Sequence, residues 1–264
     1  MTIYLIYMVL GIFAGTLSGL FGIGGGIVIV PTLVFCFKAM NFPDSMIMHM
    51  ALGTSLATIF FTALNSVYAH HKKNNVSWNL VLKLGIGIVI GTASGGFLSH
   101  ILSAKTLAII FACYISFVSM KMWFGLNSEG VRRSVPLLVY NCVGFIIGFK
   151  SALLGIGGGT ISIPFLTYSG EPMKKAVGVS AALGLPIAFV GAITYAMNGQ
   201  SVAGLPEHSF GFIYVPALVG IVLTSSIFAR FGAALSHKLP QDKMRKGFAL
   251  FLMVVAIKTI ISFL

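Results

Sequence analysis

Along the chain, long apolar runs are separated by short polar punctuation, and within each run the apolar residues are continuous rather than alternating. This pattern predicts helices at 3–20, 27–38, 46–69, 79–101 and 104–125, and again at 135–153, 160–169, 173–198, 210–236 and 242–263. A bilayer span needs about 20 mainly apolar residues, and most of these segments supply them. A membrane β-barrel would instead show short alternating segments. The expected fold class is therefore all-α, a polytopic integral membrane protein. Two segments are short: at the helical rise, 160–169 covers about 15 Å and 27–38 about 18 Å, against a hydrocarbon core of about 30 Å.

The pattern also repeats. Gly22-Ile23-Gly24-Gly25-Gly26 followed by Pro31 matches Gly155-Ile156-Gly157-Gly158-Gly159 followed by Pro164. Downstream, Ala51, Gly53 and Ser55 fall on Ala176, Gly178 and Ser180, and Ser99-His100 falls more weakly on Ser236-His237. Three matches in one order point to a duplicated unit. The expected division is a first repeat over 1–126, a linker at 127–134 and a second repeat over 135–264.

Charge distinguishes two topologies. If the short segments cross, there are ten, and five per half invert the second half relative to the first. Thirteen of the 17 basic residues then share one side, leaving Lys38, Lys105, Lys150 and Lys258 for the other. If the short segments do not cross, the split is ten against seven. The positive-inside rule favours the larger bias, hence ten segments in two inverted halves with both termini outside the cytoplasm. The opening "MTIYLIYMVLGIFAG" has no basic leader and reads as a retained span rather than a signal peptide.

Composition agrees. Of 264 residues, 57% are hydrophobic and 8% charged, whereas a soluble domain carries about 25% charged residues. The net charge of +12 would suggest nucleic acid in a soluble chain. Here the basic residues occupy short loops, so the expected surroundings are the lipid bilayer, and no nucleic acid is expected. Cys36, Cys113 and Cys142 stand apart in apolar runs and read as packing residues.

Most of the 31 glycines, Gly11, Gly15, Gly87, Gly91, Gly144 and Gly148 among them, read as sites of close helix packing. The triplets differ. Each glycine costs about 1 kcal/mol in a helix relative to alanine, so three in a row mark a break, and Pro31 and Pro164 reinforce it as structural elements of the motif. A broken helix in hydrocarbon must satisfy its backbone through a polar cavity or a bound solute. The helix that restarts presents free N–H groups and about half a positive charge, which suits an anion. Two such starts facing each other near the midplane would form a transporter-like site. The candidate substrate-binding residues are Gly24, Gly25, Gly26, Ser55, Gly157, Gly158, Gly159 and Ser180. Ser55 and Ser180 could instead bond within their own helices; their matched positions beside the breaks argue for donation to an anion. His49 and Lys174 are also matched and read as interfacial residues.

All five acids, Asp44, Glu129, Glu171, Glu207 and Asp242, fall outside the span interiors. This disfavours a buried carboxylate proton relay and a cation carrier. No nucleophile–base pair or metal motif is evident, so an enzyme is not expected, nor any cofactor or metal.

The doubled phrase Gly-x-Gly-Gly-Gly-x-x-x-x-Pro, followed by Ala-x-Gly-x-Ser, resembles the TauE/SafE family of sulfite exporters, also called the 4-toluene sulfonate uptake permease family. The resemblance covers the whole chain, with both motif copies intact at Gly22–Pro31 and Gly155–Pro164. It implies a bacterial-type inner-membrane permease for sulfite, sulfonates or sulfoacetate, and leaves open which anion and which direction. The resulting expectation is a secondary carrier or facilitator of a small sulfur-containing oxyanion. The alternatives are a carrier of another small anion or a non-transporting partner or sensor subunit. The small-residue content also makes a homodimer an expected partner state.

Overall fold

The computed structural model describes residues 2–21, 25–124, 135–236 and 241–263. The expected linker at 127–134 lies outside the described residues. Ten helices follow in order: α1 (Thr2–Phe21), α2 (Gly26–Ala39), α3 (Asp44–Lys72), α4 (Trp78–Ile101), α5 (Ala104–Phe124), α6 (Leu137–Leu154), α7 (Gly159–Tyr168), α8 (Met173–Gly199), α9 (Val215–Ser236) and α10 (Gln241–Phe263). Six of them, α3, α4, α5, α6, α8 and α10, contain apolar stretches long enough to cross a membrane. Large apolar side chains such as Leu82, Ile86, Leu138 and Ile261 remain exposed on the outside, as a surface bathed in hydrocarbon requires. The chain is a multi-pass, all-α membrane protein.

Glycine sets how the helices pack. α1 lies along α9 and α6 along α4, the two most extensive helix pairs. A Cβ on Gly148 would stand 2.3 Å from the Ile88 carbonyl oxygen, and one on Gly144 2.4 Å from that of Leu84. In the other pair, Gly15 meets the Ser225 backbone at 2.6 Å and Gly11 the Ile221 carbonyl at 2.8 Å. Shifted by the spacing of the glycine motifs, Gly11 falls on Gly144 and Gly15 on Gly148; shifted by the different spacing of Ser99 and Ser236, Leu84 falls on Ile221 and Ile88 on Ser225. One backbone contact is thus made twice, and these glycines are packing residues as expected. Helices α3 and α8 pack on each other, as do α5 and α10. The core is centred on α3, the most buried of the six long helices.

One expected boundary is corrected. The segment 210–236 does not begin as a helix. Ser209–Phe210 (β1) and Ile213–Tyr214 (β2) form an antiparallel hairpin ahead of α9. Its apolar residues continue the hydropathy of the span, but Gly211 takes φ +56 and turns the chain back. The hairpin is tucked into the helical core: the Phe212 amide donates to the Tyr195 carbonyl at 3.2 Å and the Tyr214 amide to Thr54 Oγ1 at 2.9 Å. These bonds satisfy backbone groups that a buried non-helical segment would otherwise leave bare.

Candidate anion site at the glycine breaks

Neither described glycine phrase is continuous helix. In the first, Gly24 lies outside the described residues, Gly25 has φ 66, and α2 starts at Gly26. The Gly25 carbonyl accepts the Val28 and Ile29 amides, both at 2.9 Å. In the second, α6 closes on Gly155 in the left-handed region at φ 62, where the Ile156 amide returns to the Ser151 carbonyl at 3.1 Å. The chain then runs non-helically through Gly157 and Gly158, and α7 starts at Gly159. Its first ladder bonds go from the Ile161 and Ser162 amides to the Gly158 carbonyl, at 3.2 and 3.0 Å. Among the described residues no side chain caps α2 or α7. The amides of Gly159 and Thr160 stand ahead of the ladder, as the leading donors of any helix do.

Pro31 and Pro164 sit inside α2 and α7 rather than in their first turns. Each lacks the N–H that would have reached four residues back, which frees the carbonyls of Ile27 and Thr160.

The two breaks meet. A Cβ on Gly26 would stand 2.6 Å from the Gly155 carbonyl oxygen and 2.8 Å from Ile156 Cα. The expected juxtaposition is present, as backbone contact and not as a cleft. Ser55 joins it from α3: its hydroxyl donates to the Gly155 carbonyl at 2.7 Å, in a fully buried position. The break residues Gly25 and Gly157 are both buried. Around Gly158 and Gly159 the packing differs. A Cβ on Gly158 would press on Ile147 and Ile187 at 2.8 and 2.9 Å, but one on Gly159 would first meet the Ser180 hydroxyl, at 3.3 Å. Ser180 Oγ lies 2.8 Å from Ser162 Oγ, which is 3.0 Å from the Gly158 carbonyl. Ser180 and Ser162 therefore flank the start of α7, and neither Ser55 nor Ser180 bonds within its own helix.

Three residues that the sequence reading did not select complete this region. Lys150, counted there among the charges of the far side, stands inside α6, one turn before the break. Its ammonium donates to Thr160 Oγ1 at 2.7 Å and to Tyr114 Oη at 2.9 Å, and lies 4.6 Å from the centre of the Tyr114 ring. Tyr114 in turn donates to Thr160. The available signal was a lysine in an apolar run directly before the second glycine phrase, where the first copy has Leu17.

His49 is corrected from an interfacial to a buried residue. Its Nε2 lies 3.0 and 3.1 Å from the carbonyls of Ser99 and Leu102, and its ring stacks on Phe212. It secures the hairpin. Lys174, its sequence match, is exposed. A cavity of about 210 Å³ lies apart from the second break, lined by Phe13, Pro31, Phe35, Phe251, Lys38 and Lys258. Among the described residues no three His, Cys, Asp or Glu side chains are grouped to hold a metal ion.

The model of the family described as "Sulfite exporter TauE/SafE" matches residues 7–259. A "Probable membrane transporter protein" of Haemophilus influenzae is 40% identical over 257 residues, covering 97% of each chain. A protein of the same description from Methanocaldococcus jannaschii is 26% identical over 90% of this chain and 88% of its own. A "Sulfite exporter TauE/SafE family protein 5" of Arabidopsis thaliana is 29% identical over 41% of this chain and 24% of its own. No solved structure matches.

Proposed function

We propose that this chain, which belongs to the TauE/SafE sulfite exporter family of membrane transporters, is a secondary carrier or facilitator for a small sulfur-containing oxyanion such as sulfite or an organosulfonate. The observation that carries the reading is the second break: the uncapped first turn of α7, flanked by Ser162 and Ser180, inside a helical membrane protein. Lys174 and Lys175 lie just past the far end of α7. With those lysines at the interface, its ten residues rise about 15 Å and set Gly159 near half-depth. Backbone amides at a helix start in a dry, low-dielectric place favour negative charge. The acids described, Asp44, Glu171 and Glu207, lie at the first residue of α3 or in loops, so no carboxylate of theirs competes with an anion at mid-depth.

In this reading Gly25, Gly26, Gly157, Gly158 and Gly159 supply the broken backbone, Ser180 offers its hydroxyl to the anion, and Ser55 holds Gly155 in place. Five segments per half invert one half against the other, with both termini outside the cytoplasm of a bacterial-type inner membrane. An inverted pair suits alternating access, in which one half rocks on the other. A monoanion leaving an inside-negative cell gains about 2.3 kcal/mol per 100 mV, so export needs no coupling ion.

Flux into proteoliposomes of labelled sulfite, thiosulfate and methanesulfonate, with and without a pH gradient, tests this. Saturable flux of at least one of them is expected, and its loss is expected in correctly folded Gly158→Val. Absence of flux for all three from monodisperse protein would favour a non-transporting partner or sensor role.

A further inference from the structure

We infer that Lys150, Tyr114 and Thr160 form the charge-reading subsite of the transport path, which takes the oxygens of a small oxyanion of the sulfite or sulfonate class. The inference rests on the oxyanion reading above and assigns that substrate its counter-charge.

A count of hydrogens comes first. The ammonium carries three, and the two hydroxyls one each. Three contacts join the groups pairwise: Lys150 to Tyr114, Lys150 to Thr160, and Tyr114 to Thr160. Among the described residues these use three of the five hydrogens, and two remain, whichever way the hydroxyls turn. The cluster therefore presents surplus donors, and what it accepts is a group rich in lone pairs.

Charge points the same way. An ammonium within a membrane span is costly unless paired. The only salt bridge among the described residues joins Lys38 and Asp44, at 3.8 Å, and no described carboxylate reaches Lys150. Snorkelling is the ordinary escape for a lysine near a helix end, but this ammonium is held inward, on a residue of α5 and the second residue of α7. The leading amides of α7, on Gly159 and Thr160, lie beside it in the chain and add donors for a second oxygen of the same anion.

The cluster also breaks the duplication. At the spacing of the glycine motifs the counterparts of Lys150 and Thr160 are Leu17 and Ile27, and at the spacing of Ser99 and Ser236 the counterpart of Tyr114 is Phe251. All three are apolar, so nothing in the shared fold demands a polar group at these positions. A device that only held α5, α6 and α7 together would be met equally well by an apolar set.

The test uses purified full-length protein in detergent, with sulfite, methanesulfonate and acetate as probes against chloride at equal ionic strength. Thermal midpoint is followed as a function of anion concentration, since a ligand specific to the folded state raises it by mass action. Sulfite or methanesulfonate is expected to raise the midpoint of the wild type. Lys150→Met is expected to bind that probe roughly 10- to 100-fold more weakly, the range for a lost hydrogen bond to a charged group, and Lys150→Arg to retain most of the rise. An equal rise in wild type and Lys150→Met would overturn the inference while leaving oxyanion transport intact. So would the absence of any rise in the wild type. A rise that depends on Lys150, without flux in proteoliposomes, would uphold the subsite and overturn the transport reading. If Lys150→Met is not monodisperse, Thr160→Val carries the test: a wild-type response there counts against the subsite, and a several-fold weaker response counts for it.

Discussion

The two glycine breaks share one phrase and differ in almost everything around it. At the first, α2 starts against the backbone of the other break, with Gly26 pressed on Gly155 and Ile156. The first copy has Leu17, Ile27 and Phe251 at the positions matched to the second, and Phe251 meets Phe13 edge-on. At the second, α7 starts beside two serine hydroxyls, and a lysine, a tyrosine and a threonine converge on its first turn. The backbone break occurs twice, but the side chains to which the charge-reading role is assigned here stand beside one of them. In that proposal the first break is a packing partner for the second, and the path is chemically one-sided.

The largest effect separating the two lies in packing. A methyl on Gly26 has no room, because backbone atoms stand 2.6 and 2.8 Å from where its Cβ would be. A methyl on Gly159 meets only a hydroxyl, at 3.3 Å, and Ile163 at 3.7 Å. Gly26→Ala is expected to lose about 3 kcal/mol of stability, the upper part of the overpacking range, and Gly159→Ala less than about 1 kcal/mol. Thermal or denaturant unfolding in detergent measures both. Equal losses would mean that the two breaks are equally packed.

Second in size is the charge itself. Lys150→Met is expected to lower the apparent affinity for the transported anion in flux assays roughly 10- to 100-fold, or about 1.5–3 kcal/mol. Leu17→Met at the matched position changes shape and not charge, and is expected to stay within about twofold. A comparable loss in Leu17→Met would return the two breaks to equivalence.

Much of this architecture was legible in the residues. Continuous hydropathy located all ten helices to within a few positions, because each run must satisfy its backbone internally in lipid. The triplets announced themselves as breaks, since no helix tolerates three glycines without a reason. The packing glycines could be recognised as a class, though their partners on α4 and α9 could not. Hydropathy misread the hairpin: Phe210, Phe212, Ile213 and Tyr214 are as apolar as a span, and only Gly211 and the distant Thr54 and Tyr195 make them a turn. The candidate site is half legible. The repeat points to Ser55 and Ser180 as candidates, but Ser55 bonds a carbonyl 100 residues away. From sequence Lys150 reads as a topology charge, because its partner Tyr114 lies 36 residues earlier on another helix. Local pattern reports backbone and depth; it does not report which side chains converge.

Smaller effects divide the matched serines. Ser55 supplies the described donor on the buried Gly155 carbonyl, so Ser55→Ala is expected to lose about 2 kcal/mol of stability, within the range for an unsatisfied buried acceptor. Ser180→Ala leaves Ser162 its bond to the Gly158 carbonyl and is expected to lose less than about 1 kcal/mol. In flux the order reverses: Ser180→Ala weakens the anion more than Ser55→Ala does. Unfolding and flux measured on the same two preparations check this crossing, and a serine pair that falls together in both assays would deny that one break holds and the other binds.

The smallest expected effect is also the most specific. Tyr114→Phe keeps the ring face 4.6 Å from the ammonium and removes only the hydroxyl between Lys150 and Thr160. Lys150 retains Thr160, so stability should change by less than about 0.5 kcal/mol. Anion affinity should fall about three- to tenfold, since one neutral hydrogen bond contributes about 0.5–1.5 kcal/mol. The reciprocal change, Phe251→Tyr, puts a hydroxyl at the matched position of the first copy, where the residues matched to Lys150 and Thr160 are the apolar Leu17 and Ile27. No gain in affinity is expected from it. Titration of anion-dependent thermal midpoints for the two variants decides the matter: a gain in Phe251→Tyr would show that the first break can read charge as soon as it is given a hydroxyl, and the division of labour between the copies would then rest on side chains alone and not on how tightly each break is packed.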